Sequence, residues 1–296
     1  MKTSETYNKA FDKYLYDELR GTYDTALSEG KTDNGYLIPR GCADGYETKL
    51  ADENLFRRYG TVKKIGGTSR IYTVKDEAEA GIVDENNDYP TDSKAVNIIP
   101  VNLQKLGVIT KINTHLMADT SFDLRGHLNS ELARRFGRTE ERLFINSSGE
   151  SEPEGILNAA ETGCATTNIS YDDIIRLYFS LESGYRRNAV WIMNDETAFT
   201  IKTLKSDAGD YLWNSNNGTL LGKPVAVSKY MPSAESGQLP VIFGDLSYYW
   251  ILENQPLTVQ RISELYALEY MIGFKVREYL DGKLIRHEAV KALKIE

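Results

Sequence analysis

Asp76-Glu77-Ala78-Glu79-Ala80-Gly81-Ile82-Val83-Asp84-Glu85-Asn86-Asn87-Asp88-Tyr89-Pro90-Thr91-Asp92 is the stretch on which the fold turns. It carries Asp76, Glu77, Glu79, Asp84, Glu85, Asp88 and Asp92 and holds no Lys or Arg. Such a segment repels itself and has no apolar mass to fold around. Before it, Ile65, Ile71, Tyr72 and Val74 form a β-like run. After it, Val96, Ile98, Ile99, Val101, Leu103, Val108 and Ile112 form a return. Residues 60–112 therefore read as a long hairpin whose acidic end projects toward a neighbour, with simple disorder of the tip as the plainer alternative.

On the carboxyl side, residues 119–145 predict one long helix. Asp119, Thr120 or Ser121 can cap it, and Phe122, Leu124, Leu128, Leu132, Ala133, Phe136, Leu143 and Phe144 make its apolar side. At 1.5 Å per residue it would span ~39 Å. Arg134, Arg135, Arg138 and Arg142 crowd its later half. They read either as a solvated face paired with Glu131, Glu140 and Glu141, or as the receiver of an acidic loop from another copy. Residues 165–260 then read as a compact α/β unit. Ser170 with Asp173 makes a capping-box start to a helix burying Ile174, Ile175, Tyr178 and Leu181. Ala189–Met193 is a buried strand, and Asn194 caps a helix with Phe199, Ile201 and Leu204 inside. Strands at Pro224–Val227, Val241–Phe243 and Tyr248–Leu252 complete the unit. In the tail Phe274, Val276, Glu278 and Leu280 alternate with Lys275, Arg277, Tyr279 and Asp281, and Asp281-Gly282 predicts a hairpin turn. The tail is expected to pair with chain preceding residue 165, so the middle unit is an insertion. Residues 1–35 read as an arm, with Tyr7, Phe11, Tyr14, Leu15 and Leu19 at helical spacing, docking on its own body or on another copy.

Composition excludes several classes. The net charge of -8 argues against a sequence-specific DNA reader. No stretch approaches the ~20 apolar residues of a membrane span, and Met1-Lys2-Thr3-Ser4-Glu5 opens no signal peptide, so the expected compartment is the cytosol or something assembled there. Cys42 and Cys164 read as free thiols. His115, His127 and His287 make no zinc pair, and there is no nucleophile elbow, P-loop or G-x-G-x-x-G. Asp84–Asp88 begins like a calcium loop but has Tyr89 where Gly and Ala95 where Glu is required.

Several segments, in shared order over residues 26–245, resemble the HK97-like major capsid proteins of tailed phages. They are Ala26-Leu27-Ser28-Glu29-Gly30 with Gly35-Tyr36-Leu37-Ile38-Pro39; Lys111-Ile112 through Asp119, Ser121 and Leu124; and Glu140-Glu141-Arg142 with Phe144-Ile145-Asn146 and Pro153-Glu154-Gly155-Ile156-Leu157. Trp191-Ile192-Met193-Asn194 follows. The most specific run is Leu204-Lys205, Asp207, Gly209, Tyr211-Leu212-Trp213, Thr219-Leu220-Leu221-Gly222, Pro224-Val225, Met231-Pro232 and Phe243-Gly244-Asp245.

The resemblance implies an α+β HK97-like capsid fold. Its parts would be an N-terminal arm (1–35), the start of a peripheral P-domain (36–59), an extended E-loop hairpin (60–112), the P-domain with its spine helix (113–164), an axial A-domain (165–260) and terminal P-domain strands (261–296). It implies a structural protein, not an enzyme, with no cofactor or metal. Copies would form hexamers and pentamers of an icosahedral shell around phage double-stranded DNA, in virions assembled in the host bacterial cytoplasm. Implied partners are a portal protein, a scaffolding segment or protein, a maturation protease and a decoration protein, with non-specific DNA contact and no membrane. At the subunit interface, Glu77, Glu79, Asp84, Glu85 and Asp88 would meet a neighbour's Arg134, Arg135, Arg138 and Arg142. The loop Ser206–Gly218, with Tyr211 and Trp213, would reach the ring axis. Relatives often carry an amino-terminal scaffolding segment, whereas this chain starts almost at the arm, which leaves a mature form or separate scaffolding. Lys75 and Lys94 flank the acidic tip, but no acceptor for a Lys–Asn cross-link is identifiable. An encapsulin, distinguished by lacking the long arm and junction, and a soluble α+β hydrolase, which would need a deep polar cleft, are the alternatives.

Overall fold

The computed structural model of the chain describes residues 5–16, 31–32, 35–37, 40–66, 70–74, 96–118, 123–205, 211, 213, 218–254 and 257–296. In chain order the strands are β1 (Lys31–Thr32), β2 (Gly35–Leu37), β3 (Thr61–Lys64), β4 (Arg70–Val74), β5 (Val96–Pro100), β6 (Gln104–Asn113), β7 (Glu161–Thr166), β8 (Val190–Met193), β9 (Thr219–Leu220), β10 (Lys223–Val227), β11 (Val241–Gly244), β12 (Tyr249–Glu253), β13 (Thr258–Ile262), β14 (Met271–Leu284) and β15 (Val290–Ile295).

β14 is the axis of the first sheet. β6 runs antiparallel along one edge, from Asn113 opposite Met271 to Gln104 opposite Leu280. β12 and β13 lie end to end along the other, with Tyr249 opposite Leu284 and Thr258 opposite Arg277. β3 then adds to β12 in parallel, and β2 with β1 adds to β13. Two helices cover this sheet through a core of Tyr7, Phe11, Leu15, Leu128, Leu132, Phe136, Phe274 and Val276. The amino-terminal helix Glu5–Tyr16 docks on its own body, where the Tyr14 hydroxyl accepts the Arg261 N–H at 2.8 Å. The long helix runs Leu124–Asn146, ~35 Å at 1.5 Å per residue. Its cap is Asp123, whose carboxylate accepts the Gly126 N–H at 2.9 Å; Asp119, Thr120, Ser121 and Phe122 lie outside the described residues. A glycine inside a helix costs about 1 kcal/mol, and Gly137 has a reason to be there. A Cβ at that position would stand 3.1 Å from Glu53 Cβ and 3.3 Å from Leu50 Cδ1, where the helix Arg40–Glu53 packs across.

The second sheet has the order β7-β15-β11-β8-β10-β9. Its core includes Ile174, Leu177, Leu181, Trp191, Phe243 and Leu293. Local signals read true here. Ser170 and Asp173 exchange both hydrogen bonds of a capping box, and the Asn194 side chain accepts the Thr197 N–H at 2.7 Å. Ile201 is buried, but Phe199 faces outward.

Two expectations about strands are corrected. Tyr248–Leu252 reads from sequence as part of the middle unit, but β12 belongs to the first sheet, between β14 and β3. Asp281-Gly282 makes no turn: β14 runs straight through it. Both residues serve burial instead. Asp281 accepts the Asn102 N–H at 2.9 Å, and Gly282 leaves the space that Tyr249 Oη and the Phe144 ring occupy; a Cβ there would lie 2.3 Å and 2.9 Å from them. The tail pairs with chain preceding residue 165 as expected, β14 with β6 in the first sheet and β15 with β7 in the second. β15 lies between β7, in parallel, and β11, antiparallel, and so completes the second sheet in place of β12.

Candidate assembly surfaces

Of the expected hairpin 60–112, the two ends are body. β3 pairs with β12 and β6 pairs with β14. The part that stands apart is β4 with β5, a two-stranded antiparallel ribbon joined to neither sheet, with Val74 opposite Val96 and Arg70 opposite Pro100. Tyr72 and Ile98 face each other across it and are 63% and 53% exposed. A lone two-stranded ribbon is marginal in water without a further surface to cover it. Glu77, Glu79, Asp84, Glu85 and Asp88 lie outside the described residues.

The four arginines are all on the exposed side of the long helix. Arg134, Arg138 and Arg142 follow one another at four-residue spacing and so form one stripe. Arg135 pairs with Glu131, and Arg138 reaches Glu53 at 3.6 Å. Among the described residues Arg134 and Arg142 meet no carboxylate. Arg138 also lines an open cleft of about 620 Å³ between the helix Arg40–Glu53 and β10. Tyr211 is exposed, with Lys205 Nζ 4.8 Å from its ring centre. Trp213, expected at the interface, is 5% exposed and packs in the core of the second sheet, with Lys202 Nζ 5.4 Å from its ring centre.

Glu140 and Glu141, expected to pair on the solvated face, point inward. Glu141 accepts from Ser228 Oγ and, at 3.3 Å, from the Leu55 N–H; burial pushes its carboxyl above the usual range. Glu140 takes both its oxygens to Arg57, Oε1 to Nη2 at 2.7 Å and Oε2 to Nε at 2.8 Å, and accepts from Asn54 Nδ2 at 2.9 Å. Arg57 also pairs with Glu253 on β12. Glu278, on β14, is buried beside them; burial and then the Glu140 charge hold its carboxyl well above the ordinary value. This charged knot ties the long helix, the helix Leu55–Tyr59 and two strands of the first sheet. Sequence reading missed it. The signal was present: Glu140 continues the apolar register of Leu132 and Phe136, and Glu278 sits between Val276 and Leu280.

Among the described residues no group of three His, Cys, Asp or Glu could hold a metal ion, and no helix is long and apolar enough to cross a membrane. The model of the phage capsid family matches residues 34–295. The chain belongs to the phage capsid family. No curated protein sequence matches it. Among solved structures, the capsid of a native GTA particle computed with C5 symmetry is 22% identical, with a TM-score of 0.66 over 93% of this chain and 99% of that one. Microbacterium phage Oxtober96 gives 12% identity and a TM-score of 0.60 over 82% of this chain and 91% of that one. The satellite phage P4 procapsid including size determination (Sid) protein gives 10% and 0.54 over 83% and 96%. These likenesses give the phage capsid chain its fold, the mixed α+β architecture of HK97-like capsids. Membership makes it a major capsid shell protein, a structural component of a virion-type capsid that associates with its own copies.

Proposed function

We propose that copies of this phage capsid chain assemble into hexameric and pentameric rings that close an icosahedral shell around double-stranded DNA, in the cytoplasm of a bacterial host, without enzymatic activity of their own. The observation that carries the reading is the ribbon β4–β5, which leaves both sheets and holds Tyr72 and Ile98 in solvent. A ribbon with such an exposed face gains by lying across an adjacent copy, and head-to-tail contacts of that kind close into rings. In this reading the residues 1–35 are an arm, 60–112 carry the E-loop and 165–260 the axial part. The acidic side chains Glu77, Glu79, Asp84, Glu85 and Asp88 meet the neighbour's Arg134, Arg135, Arg138 and Arg142, and Tyr211 faces the ring axis. Exposed ion pairs contribute only ~0–1 kcal/mol each, so repetition supplies the strength, and weak contacts let one chain fit rings of two sizes. A portal protein, scaffolding, a maturation protease and a decoration protein complete the particle. Deleting residues 77–91 tests the reading. The variant should keep its far-ultraviolet circular dichroism and melting temperature and form no shells under electron microscopy; normal particles from it would remove the loop from assembly.

A further inference from the structure

The helices that cover the first sheet lie on one of its sides. Along β14 the even-numbered residues Phe274, Val276, Leu280 and Leu284 enter the cores on that side. The odd-numbered ones take the other side, because successive side chains of a strand alternate. Strand pairing carries this second side across the sheet. Lys275 stands opposite Ile109 on β6, Tyr279 opposite Lys105 and Gly273 opposite Lys111. Lys283 stands opposite Trp250 on β12, and Lys63 on β3 brings its Nζ 5.2 Å from the Trp250 ring centre. Lys63, Lys105 and Lys111 are exposed, Lys275 and Lys283 half-buried. One side of a sheet thus gathers five lysines in a chain whose net charge is -8. Carboxylates are scarce there. Asp281 is buried and accepts the N–H groups of Asn102 and Gly282 with its two oxygens, and Glu269 at the rim pairs with Lys111 at 2.9 Å. Among the described residues Lys63, Lys105 and Lys275 make no ion pair. Arg277 shares this side but is buried, its Nε donating to Thr258 Oγ1 at 3.1 Å.

We propose that the lysine-bearing side of the first sheet is the surface on which duplex DNA rests, held through its phosphates and without reading of sequence. The inference rests on the shell-subunit reading and names the part of the wall that meets the contents. Side-chain chemistry favours a duplex over the acidic segment 76–92 of another copy. A carboxylate is met best by the planar fork of arginine, which offers two parallel hydrogen bonds. The arginine stripe lies away from this side, on the outer surface of the long helix. Lysine is a compact point charge on a flexible stem, and so suits a partner whose charge is evenly spread. Lys105 and Lys111 stand ~20 Å apart along β6, at ~3.4 Å per residue. A duplex presents one charge per ~1.7 Å, about 12 over that distance, so the lysines find phosphates at any register.

The test titrates the unassembled full chain with a short fluorescent duplex of mixed sequence, read by anisotropy. The parent is compared with Lys105→Gln/Lys275→Gln/Lys283→Gln and with the charge-keeping Lys105→Arg/Lys275→Arg/Lys283→Arg. With contacts from Lys63, Lys105, Lys275 and Lys283, parent affinity should fall about a hundredfold between ~50 and ~200 mM salt, and that of the Gln variant about fourfold, from a slope of ~0.9 per contact. At the lower salt the Gln variant should bind more than tenfold more weakly than the parent, the Arg variant as the parent does, and a change of duplex sequence should alter neither. A parent that does not bind duplex, or a Gln variant that binds as tightly as the parent, overturns the proposal. So does a synthetic peptide of residues 76–92 that binds the parent and displaces the duplex, because the surface then belongs to a neighbouring copy. Electron microscopy of the same proteins should find shells from the parent and from the Gln variant alike; a folded Gln variant that builds none makes this side a contact between copies and overturns the assignment to DNA. A parent that builds no shells overturns the shell reading instead, a result distinct from any in the titration.

Discussion

One arginine, Arg57, serves the buried carboxylate Glu140 and the partly buried Glu253, with Glu278 close behind. Removing it strands charge in the interior, so Arg57→Ala should destabilise the chain by about 3–5 kcal/mol in urea unfolding. Glu278 keeps its proton in the fold well above the ordinary carboxylate range, because burial and the Glu140 charge both disfavour ionisation. The folded chain therefore holds a proton that the unfolded chain releases. Stability from this group is full below the ordinary glutamate pKa and is lost as pH rises toward the raised value. Glu278→Gln should accordingly melt several degrees higher than the parent at alkaline pH, with the difference closing as pH falls toward about 4; an equal difference at every pH would refute this assignment. Gly282→Ala must push Tyr249 and Phe144 aside and should cost about 1–3 kcal/mol. None of this chemistry was read from the sequence. Glu140 and Glu278 fell in apolar registers, but only the fold shows that Glu278 is buried beside the Arg57–Glu140 pair.

At the level of the element, legibility follows the range of the interaction. The capping box at Ser170, the cap at Asn194 and the apolar stripe of the long helix are settled within a few residues, and sequence reading found them. Sheet membership is settled by partners far along the chain, such as Glu161 beside Lys291 and Asn113 beside Met271. No local signal tells β12 which sheet to join, and the Asp281-Gly282 turn signal misled because glycine also serves close packing. Among the surface elements, the stripe with Arg134 and Arg142 is the one the proposed function depends on most. Arg134→Glu/Arg142→Glu should leave the melting temperature within ~1 °C, as exposed substitutions do, and should raise the concentration at which shells appear. Added salt should raise it in the parent, through screening, and much less in the variant. A variant that assembles like the parent would separate these arginines from the contact.

Across the whole molecule, the chain passes between the two sheets at three places: from the long helix to β7, from β11 to β12 and from β14 to β15. Neither half is a segment that could be excised. Denaturant unfolding should therefore be a single transition. Trp191, buried in the second sheet, and Trp250, on β12 of the first, give fluorescence reporters in the two halves to set against circular dichroism. Separate midpoints for the two would show the halves to be independent. The triple stitching also has a mechanical reading. A protein whose halves share one covalent link can fold about it like a door, and hinge motion is the usual way such proteins change shape. Three links, two of them bonded side by side between Gly244 opposite Val290 and Tyr249 opposite Leu284, turn the door into a plate. Bending of a closed wall, wherever neighbouring plates must tilt to different degrees, is then confined to the seams between them.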